Sequence, residues 1–149
     1  MTEKGFSLIE ILMVLILIAV LSKIAISSFV NLSTDSRITV TTEKLNEMKR
    51  AIVGDSRRVA NGQYLNPGFE NNMGAVPTAL TDLTVIGAQA VYNPFTKRGW
   101  RGPYLSNTDA SWNLDAWGTA IVYSSGARTL VSWGPNKAAG GGDDITVTF

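Results

Sequence analysis

At 149 residues and a formal net charge of +1, the chain has room for one small domain beside an N-terminal segment of different character, and its charge implies neither nucleic acid nor an acidic surface as partner. Cysteine and histidine are both absent. No disulfide can staple the fold, and histidine triads, histidine general bases and the common histidine metal sites are excluded.

The first element is the apolar stretch from Phe6 to Val30, preceded by the polar Met1-Thr2-Glu3-Lys4-Gly5. Every residue from Ile11 to Leu21 is apolar, and after Ser22 and Lys23 the character resumes through Ile24, Ala25, Ile26, Phe29 and Val30. That is enough for the roughly 20 residues that span a bilayer. A cleavable secretory signal has a shorter apolar region with small residues after it; here the small residue, Gly5, comes first, and a cut there would keep the helix. Glu10 lies only about 6 Å of helix rise beyond Phe6. The helix dipole stabilises a carboxylate there, but in an apolar helix the group also needs a partner. Lys23, about 26 Å beyond Phe6, can snorkel to the far interface as an anchor.

Lys4-Gly5-Phe6-Ser7-Leu8-Ile9-Glu10 resembles the processing site of type IV pilins and the related pseudopilins. The resemblance implies that a prepilin peptidase cuts after Gly5 and methylates the new N-terminal Phe6. It also implies that Glu10 is the assembly glutamate, pairing with the α-amino group of Phe6 on a neighbouring subunit. Residues 1–5 are then a leader, and removing them deletes one lysine and one glutamate, leaving the net charge unchanged. Residues 6–30 are the transmembrane and assembly helix. The proline that many family members carry near the exit of this segment is absent from Ala25-Ile26-Ser27-Ser28.

After Val30 the chain turns polar yet holds neither Gly nor Pro until Gly54, so the helix is expected to continue over 31–60 as an amphipathic segment with Gly62 as its stop. Helix from about Ser7 to Ala60 would run roughly 80 Å. Ile38, Leu45, Ile52 and Val59 recur every seven residues, with Met48 near the stripe and Glu43, Lys44, Glu47, Lys49 and Arg50 opposite. The repeat is short for a coiled coil, so this stripe is expected to pack on the chain's own globular domain, 61–149.

Asn61 to Met73 reads as turn, with Asn66-Pro67-Gly68 its clearest punctuation. Pro77, Leu80, Leu83 and Ile86, ending at Gly87, predict a short amphipathic helix. Tyr92 to Ser111 reads as an ordered loop anchored by aromatics. Thr119–Ser124 and Arg128–Trp133 around Ser125-Gly126-Ala127 predict a hairpin, and Ile145–Phe149 a third strand. The fold class is therefore α+β: a long N-terminal helix, transmembrane in its first half, packed on a small three-stranded antiparallel sheet in a pilin-like arrangement. Trp100, Tyr104, Trp112, Trp117, Tyr123 and Trp133 are expected to build the core.

Gly99-Trp100-Arg101-Gly102-Pro103-Tyr104-Leu105, Asp115-Ala116-Trp117-Gly118, Ser132-Trp133-Gly134 and the glycine run ending Asp143-Asp144-Ile145 resemble, in order, the major pseudopilin of type II secretion systems. That family is a structural one. Its subunits polymerise in the inner membrane, the C-terminal domain in the periplasm, into a short periplasmic filament that helps export folded proteins. The partners implied are other copies of the chain, minor pseudopilins, the inner-membrane assembly platform and prepilin peptidase. A major type IV pilin of a surface fibre is the alternative. The absence of a cysteine pair and the terminal loop argue against it.

Gly140-Gly141-Gly142-Asp143-Asp144 is no phosphate loop, because no Gly-Lys-Ser/Thr follows. Carboxylates on such a loop can hold calcium, which accepts irregular geometry, or can form a plain acidic turn. The resemblance implies a calcium site made by the carbonyl of Trp133 with Asn136, Asp143 and Asp144. Asn136 stands where the family usually has aspartate. A membrane-tethered enzyme would have to work with carboxylates, Ser and Lys alone, and Asp109 and Asp115 read as turn residues, so no catalytic role is expected.

Overall fold

A computed structural model describes residues 7–60 and 63–149, the side chains of 24–31, 59, 63 and 64 excepted. The expected leader 1–5, the cut between Gly5 and Phe6, the stop at Gly62 and the side chains of Ile24 to Val30 and of Val59 lie outside the described residues. The chain divides into two compact units, Met1–Ser36 and Arg37–Phe149. Its elements are α1 (Leu8–Val53), β1 (Val59–Ala60), β2 (Gln63–Tyr64), α2 (Gly68–Met73), a single 3-10 turn (Leu80–Leu83), β3 (Val122–Ser124), β4 (Thr129–Ser132) and β5 (Ile145–Thr148).

The fold is α+β, with a three-stranded antiparallel sheet in the order β3-β4-β5. Its register pairs Tyr123 with Leu130 and Leu130 with Val147. In the second unit, Leu45, Met48, Ala51 and Ile52 of α1 form one core with Phe69, Leu80, Leu83, Ile121 and Leu130. The spacing of Leu45, Met48 and Ile52 puts them on one helical face, and Thr41, four residues before Leu45, is equally buried. Ile38, expected on the same stripe, is instead exposed.

Helix α1 ends earlier than expected, at Val53 and not at Ala60. Gly54 takes φ +92 and donates its N–H to Arg50 O at 2.9 Å, which closes the last turn. A Cβ there would sit 2.7 Å from Pro67 O, and one at Gly68 would collide with the backbone of Gly54. Two backbones thus touch where neither has a side chain, and residues 59–60 and 63–64 pair as the short ribbon β1–β2.

The segment read as turn before Met73 contains α2, which buries Phe69 and Asn72 and stops at Gly74 in the left-handed conformation. The expected helix from Pro77 to Gly87 is reduced to the turn Leu80–Leu83. Its carbonyl at Leu83 accepts the N–H groups of Tyr104 and Leu105 at 2.8 and 3.2 Å, which removes the acceptor that a continuing helix would use. Likewise β3 starts at Val122, because Thr119 and Ile121 pair back with Asp115 and Asn113.

Four bonds from three side chains tie the part of α1 in the second unit to the rest of that unit. Thr41 Oγ1 accepts Ala116 N at 3.2 Å, Lys44 Nζ donates to Ser111 O and Leu114 O at 2.7 Å each, and Lys49 Nζ donates to Thr148 O at 2.8 Å. Across the sheet, Arg128 makes two 2.9 Å bonds to the Glu70 carboxylate and donates Nε to Phe149 O at 2.7 Å, joining α2 to the sheet's end.

Candidate functional site

In the first unit, α1 opens with Glu10 in its first turn, the Glu10 N–H donating to Ser7 O at 3.0 Å. Every residue from Leu8 to Leu21 except Glu10 is apolar, and all of them are exposed. Leu8 is 85% exposed and Leu21 64%, so within the described residues of the first unit this apolar surface is uncovered. Among the described residues no helix is long and apolar enough to cross a membrane. Described side chains of the apolar stretch end at Lys23, short of its continuation to Val30.

In the second unit, β4 runs out through half-buried Trp133 into the loop 134–144. Gly134 has φ +67, and a Cβ there would strike Asp143 O, so the two arms of the loop close directly on each other. Asn136 is the bridge. Its backbone N–H donates to Asp143 Oδ2 at 3.1 Å and its Nδ2 to Asp143 Oδ1 at 2.6 Å and Gly140 O at 3.3 Å. Asn136 Oδ1 accepts Ala138 N at 2.7 Å, and Asp144 Oδ2 accepts Gly140 N at 2.9 Å. Asp144 Oδ1 is buried with no hydrogen-bond partner. Asn136, Asp143 and Asp144 thus come together on the loop that follows Trp133.

Calcium takes six to eight oxygens in flexible geometry. The loop supplies the Asp143 carboxylate, an Asp144 oxygen with a lone pair unspent, and the Asn136 amide. Turning that amide over would replace an N–H₂ with an oxygen beside Asp143. On donor chemistry the residues fit the ion, with two carboxylates carrying the charge. No group of three or more His, Cys, Asp and Glu that could hold a metal occurs among the described residues.

Other expected residues are structural. Asp115 is buried: Oδ1 accepts Trp117 N at 3.0 Å and Thr119 N at 2.8 Å, while Oδ2 accepts the Ser132 hydroxyl at 2.6 Å. Ser132 Oγ in turn accepts Gly134 N at 3.1 Å, so the base of the 134–144 loop hangs from this buried carboxylate. Every oxygen is spent on holding the turn, which is no nucleophile arrangement. Asp109 closes its own turn on Ser111 N and Oγ. Trp100, Tyr104, Trp112 and Tyr123 pack on the core as expected, with Trp100 edge-on to Tyr104 at 5.9 Å. Trp117 and Trp133 are half-buried and lie outside that cluster.

Two features have no counterpart in the sequence reading. One is the bidentate Arg128–Glu70 pair, whose members are far apart in the chain. The other is Phe95, 94% exposed at the tip of a loop expected to be anchored by its aromatics. Asn93-Pro94 before it is a turn signal that could have placed it at a tip.

No protein-family model, curated protein or solved structure matches this chain.

Proposed function

We propose that this chain is the structural subunit of a periplasmic filament of the pseudopilus type, made in the inner membrane and serving the export of folded proteins. The carrying observation is the uncovered apolar surface of α1 from Leu8 to Leu21, interrupted only by Glu10 and placed directly after a sequence that resembles a prepilin cleavage site. Such a surface needs lipid, other copies of itself, or both in succession. In this reading the segment 6–30 spans the membrane before assembly, Gly5-Phe6 is the cleavage point, and the domain from Arg37 onward stands in the periplasm. Prepilin peptidase, minor pseudopilins and an assembly platform are its partners. The role is structural and not catalytic.

Glu10 sets the register. When apolar helices crowd together, a bare carboxylate among them is costly, and the α-amino group of an incoming Phe6, with a reference pKa of about 7.7 to 8.0, can offset its charge. The loop 134–144 takes a calcium ion through Asp143, Asp144, Asn136 and the Trp133 carbonyl; bound there, the ion supplies no chemistry beyond cross-linking the two arms of the loop. What supports this is the unspent Asp144 oxygen.

Glu10→Ala is the test of the filament reading. It makes the helix more apolar and no less able to enter a bilayer, so the variant is expected to be processed and membrane-inserted yet to form no filaments, while Glu10→Asp is partly impaired. Filament yield is scored beside membrane level. Normal filaments from Glu10→Ala would show that apolar packing alone sets the register.

A further inference from the structure

Between Val91 and Trp100 the chain makes an arch, closed by pairing of Val91 with Trp100 and of Asn93 with Arg98. Its base is fastened by Gly99 N donating to Asn72 O at 2.9 Å, and its tip by Asn93 Oδ1, which accepts the N–H groups of Phe95 at 2.9 Å and Thr96 at 3.4 Å. Single exposed apolar residues are common on proteins. Phe95, however, is 94% exposed on a tip whose backbone is held, so the ring is presented outward and touches almost nothing of its own chain. The arch and the residue that follows it carry Lys97, Arg98 and Arg101, all exposed, and no acid lies between Val91 and Arg101.

Elsewhere on the same unit lies a hollow of about 170 Å³ with Met48, Leu105 and Trp112 in its wall and Glu47 and Asp109 beside them. Lys44, the cation of this wall, has its ammonium turned onto the Ser111 and Leu114 carbonyls. The volume suits one aromatic ring, since an apolar cavity of about 150 Å³ accepts benzene. Knob and hollow also match in charge, cations around the first and a net negative rim on the second.

The geometry points to a head-to-tail contact between two copies of this chain, in which Phe95 of one enters the Met48–Leu105–Trp112 hollow of the next while Lys97 and Arg98 face its Glu47 and Asp109. Because knob and hollow are different surfaces, each copy keeps one of them free after the contact forms. Such a heterologous contact extends an assembly without closing it, unless the rotation happens to make a ring. The role of the contact rests on the filament reading, which it deepens by naming where the domains meet.

This sequence has no cysteine, so the introduced pair supplies its only thiols. Full-length protein carrying Thr96→Cys with Thr108→Cys keeps Phe95 and the apolar wall intact, and a disulfide forms only where Cα atoms come within about 7 Å. Oxidised in the membranes of the producing cells with copper phenanthroline, it is expected to give a ladder of dimers, trimers and larger species. Adding Phe95→Ser, which alters a side chain with no packing role in its own chain, is expected to weaken the ladder about tenfold, a shift of roughly 1.4 kcal/mol. The control pair Thr96→Cys with Ser125→Cys is expected to give none. An equal ladder from the control, or one unchanged by Phe95→Ser, overturns the contact. So does absence of the ladder, the result expected if the aromatic and basic tip rests on anionic headgroups. Filament yield from the same cells separates the two readings: filaments without the ladder overturn the Phe95 contact alone, whereas the ladder without filaments upholds the contact and overturns the filament.

Discussion

Asp115→Ala probes the buried carboxylate that joins the 115–119 turn to β4. Hydrogen bonds to a charged acceptor contribute about 1.5–3 kcal/mol each, and three converge here. The three losses are not equal. Trp117 and Thr119 sit in a half-buried turn where their N–H groups can regain water, but Ser132 is 0% exposed and its hydroxyl is left with no acceptor. We therefore expect a cost of about 3–4 kcal/mol, dominated by the Ser132 bond. Ser132→Ala alone should cost about 2–3 kcal/mol, because it also strands the Gly134 N–H. Combined, the two should cost little more than Asp115→Ala by itself, giving a coupling energy of about 2 kcal/mol. Urea unfolding of residues 37–149 followed by tryptophan fluorescence measures all three, with an unchanged m value as the check that only stability moved. Additive costs, or an Asp115→Ala cost below about 1 kcal/mol, would refute the idea that this carboxylate holds the turn through Ser132.

The hydrogen bonds from Arg128 hold the Glu70 carboxyl below its ordinary range, against a smaller opposing effect of burial. A depressed carboxyl contributes stability that is complete above its unfolded value and lost as pH falls through the folded one. The stability gap between wild type and Glu70→Gln should thus be constant at neutral pH, at roughly 1 kcal/mol for a pair this accessible, and shrink below about pH 4.3; a gap independent of pH to the acid limit would show the pair to be idle. Calcium should raise the thermal midpoint of the second unit by mass action, and Asp144→Ala should abolish the rise; identical midpoints with calcium and with chelator would make the loop a plain acidic turn. Intact mass of the protein from the producing cells should correspond to a chain beginning at methylated Phe6. A mass retaining Met1 to Gly5 would remove the basis for reading Glu10 as an assembly residue.

Where sequence and structure agree, a local pattern met no competing partner. The hairpin of β3 and β4 follows from two strand-like runs, 119–124 and 128–133, on either side of a three-residue turn signal, and the buried face of α1 from the spacing of Leu45, Met48 and Ile52. Disagreements arise where a distant backbone group intervened. Gly54 by itself is a tolerable helix residue; contact with Pro67 and Gly68 makes it a stop, and nothing in the local pattern announces that approach. The amphipathic spacing of Leu80 and Leu83 is genuine, since both are buried, but the capture of Leu83 O by Tyr104 and Leu105 ended the helix after one turn. Thr41, a polar residue, belongs to no apolar stripe, and its buried hydroxyl is satisfied by accepting the Ala116 N–H from a distant segment. At the loop, resemblance to a family brought Asn136, Asp143 and Asp144 together. The stranded Asp144 oxygen and the direction of the Asn136 amide arise only once the loop is folded.

The ties from Thr41, Lys44 and Lys49 have a mechanical consequence. They are spread over about 12 Å of helix rise and reach two separate segments, residues 111–116 and residue 148. A pull along the axis of α1 loads them in shear, all at once, together with the Leu45–Ile52 packing, so that none can fail before the others carry strain. A sideways pull at either end peels them one after another. A domain fastened in this way to residues 41–52 of its helix resists being drawn along that helix far better than being levered off it.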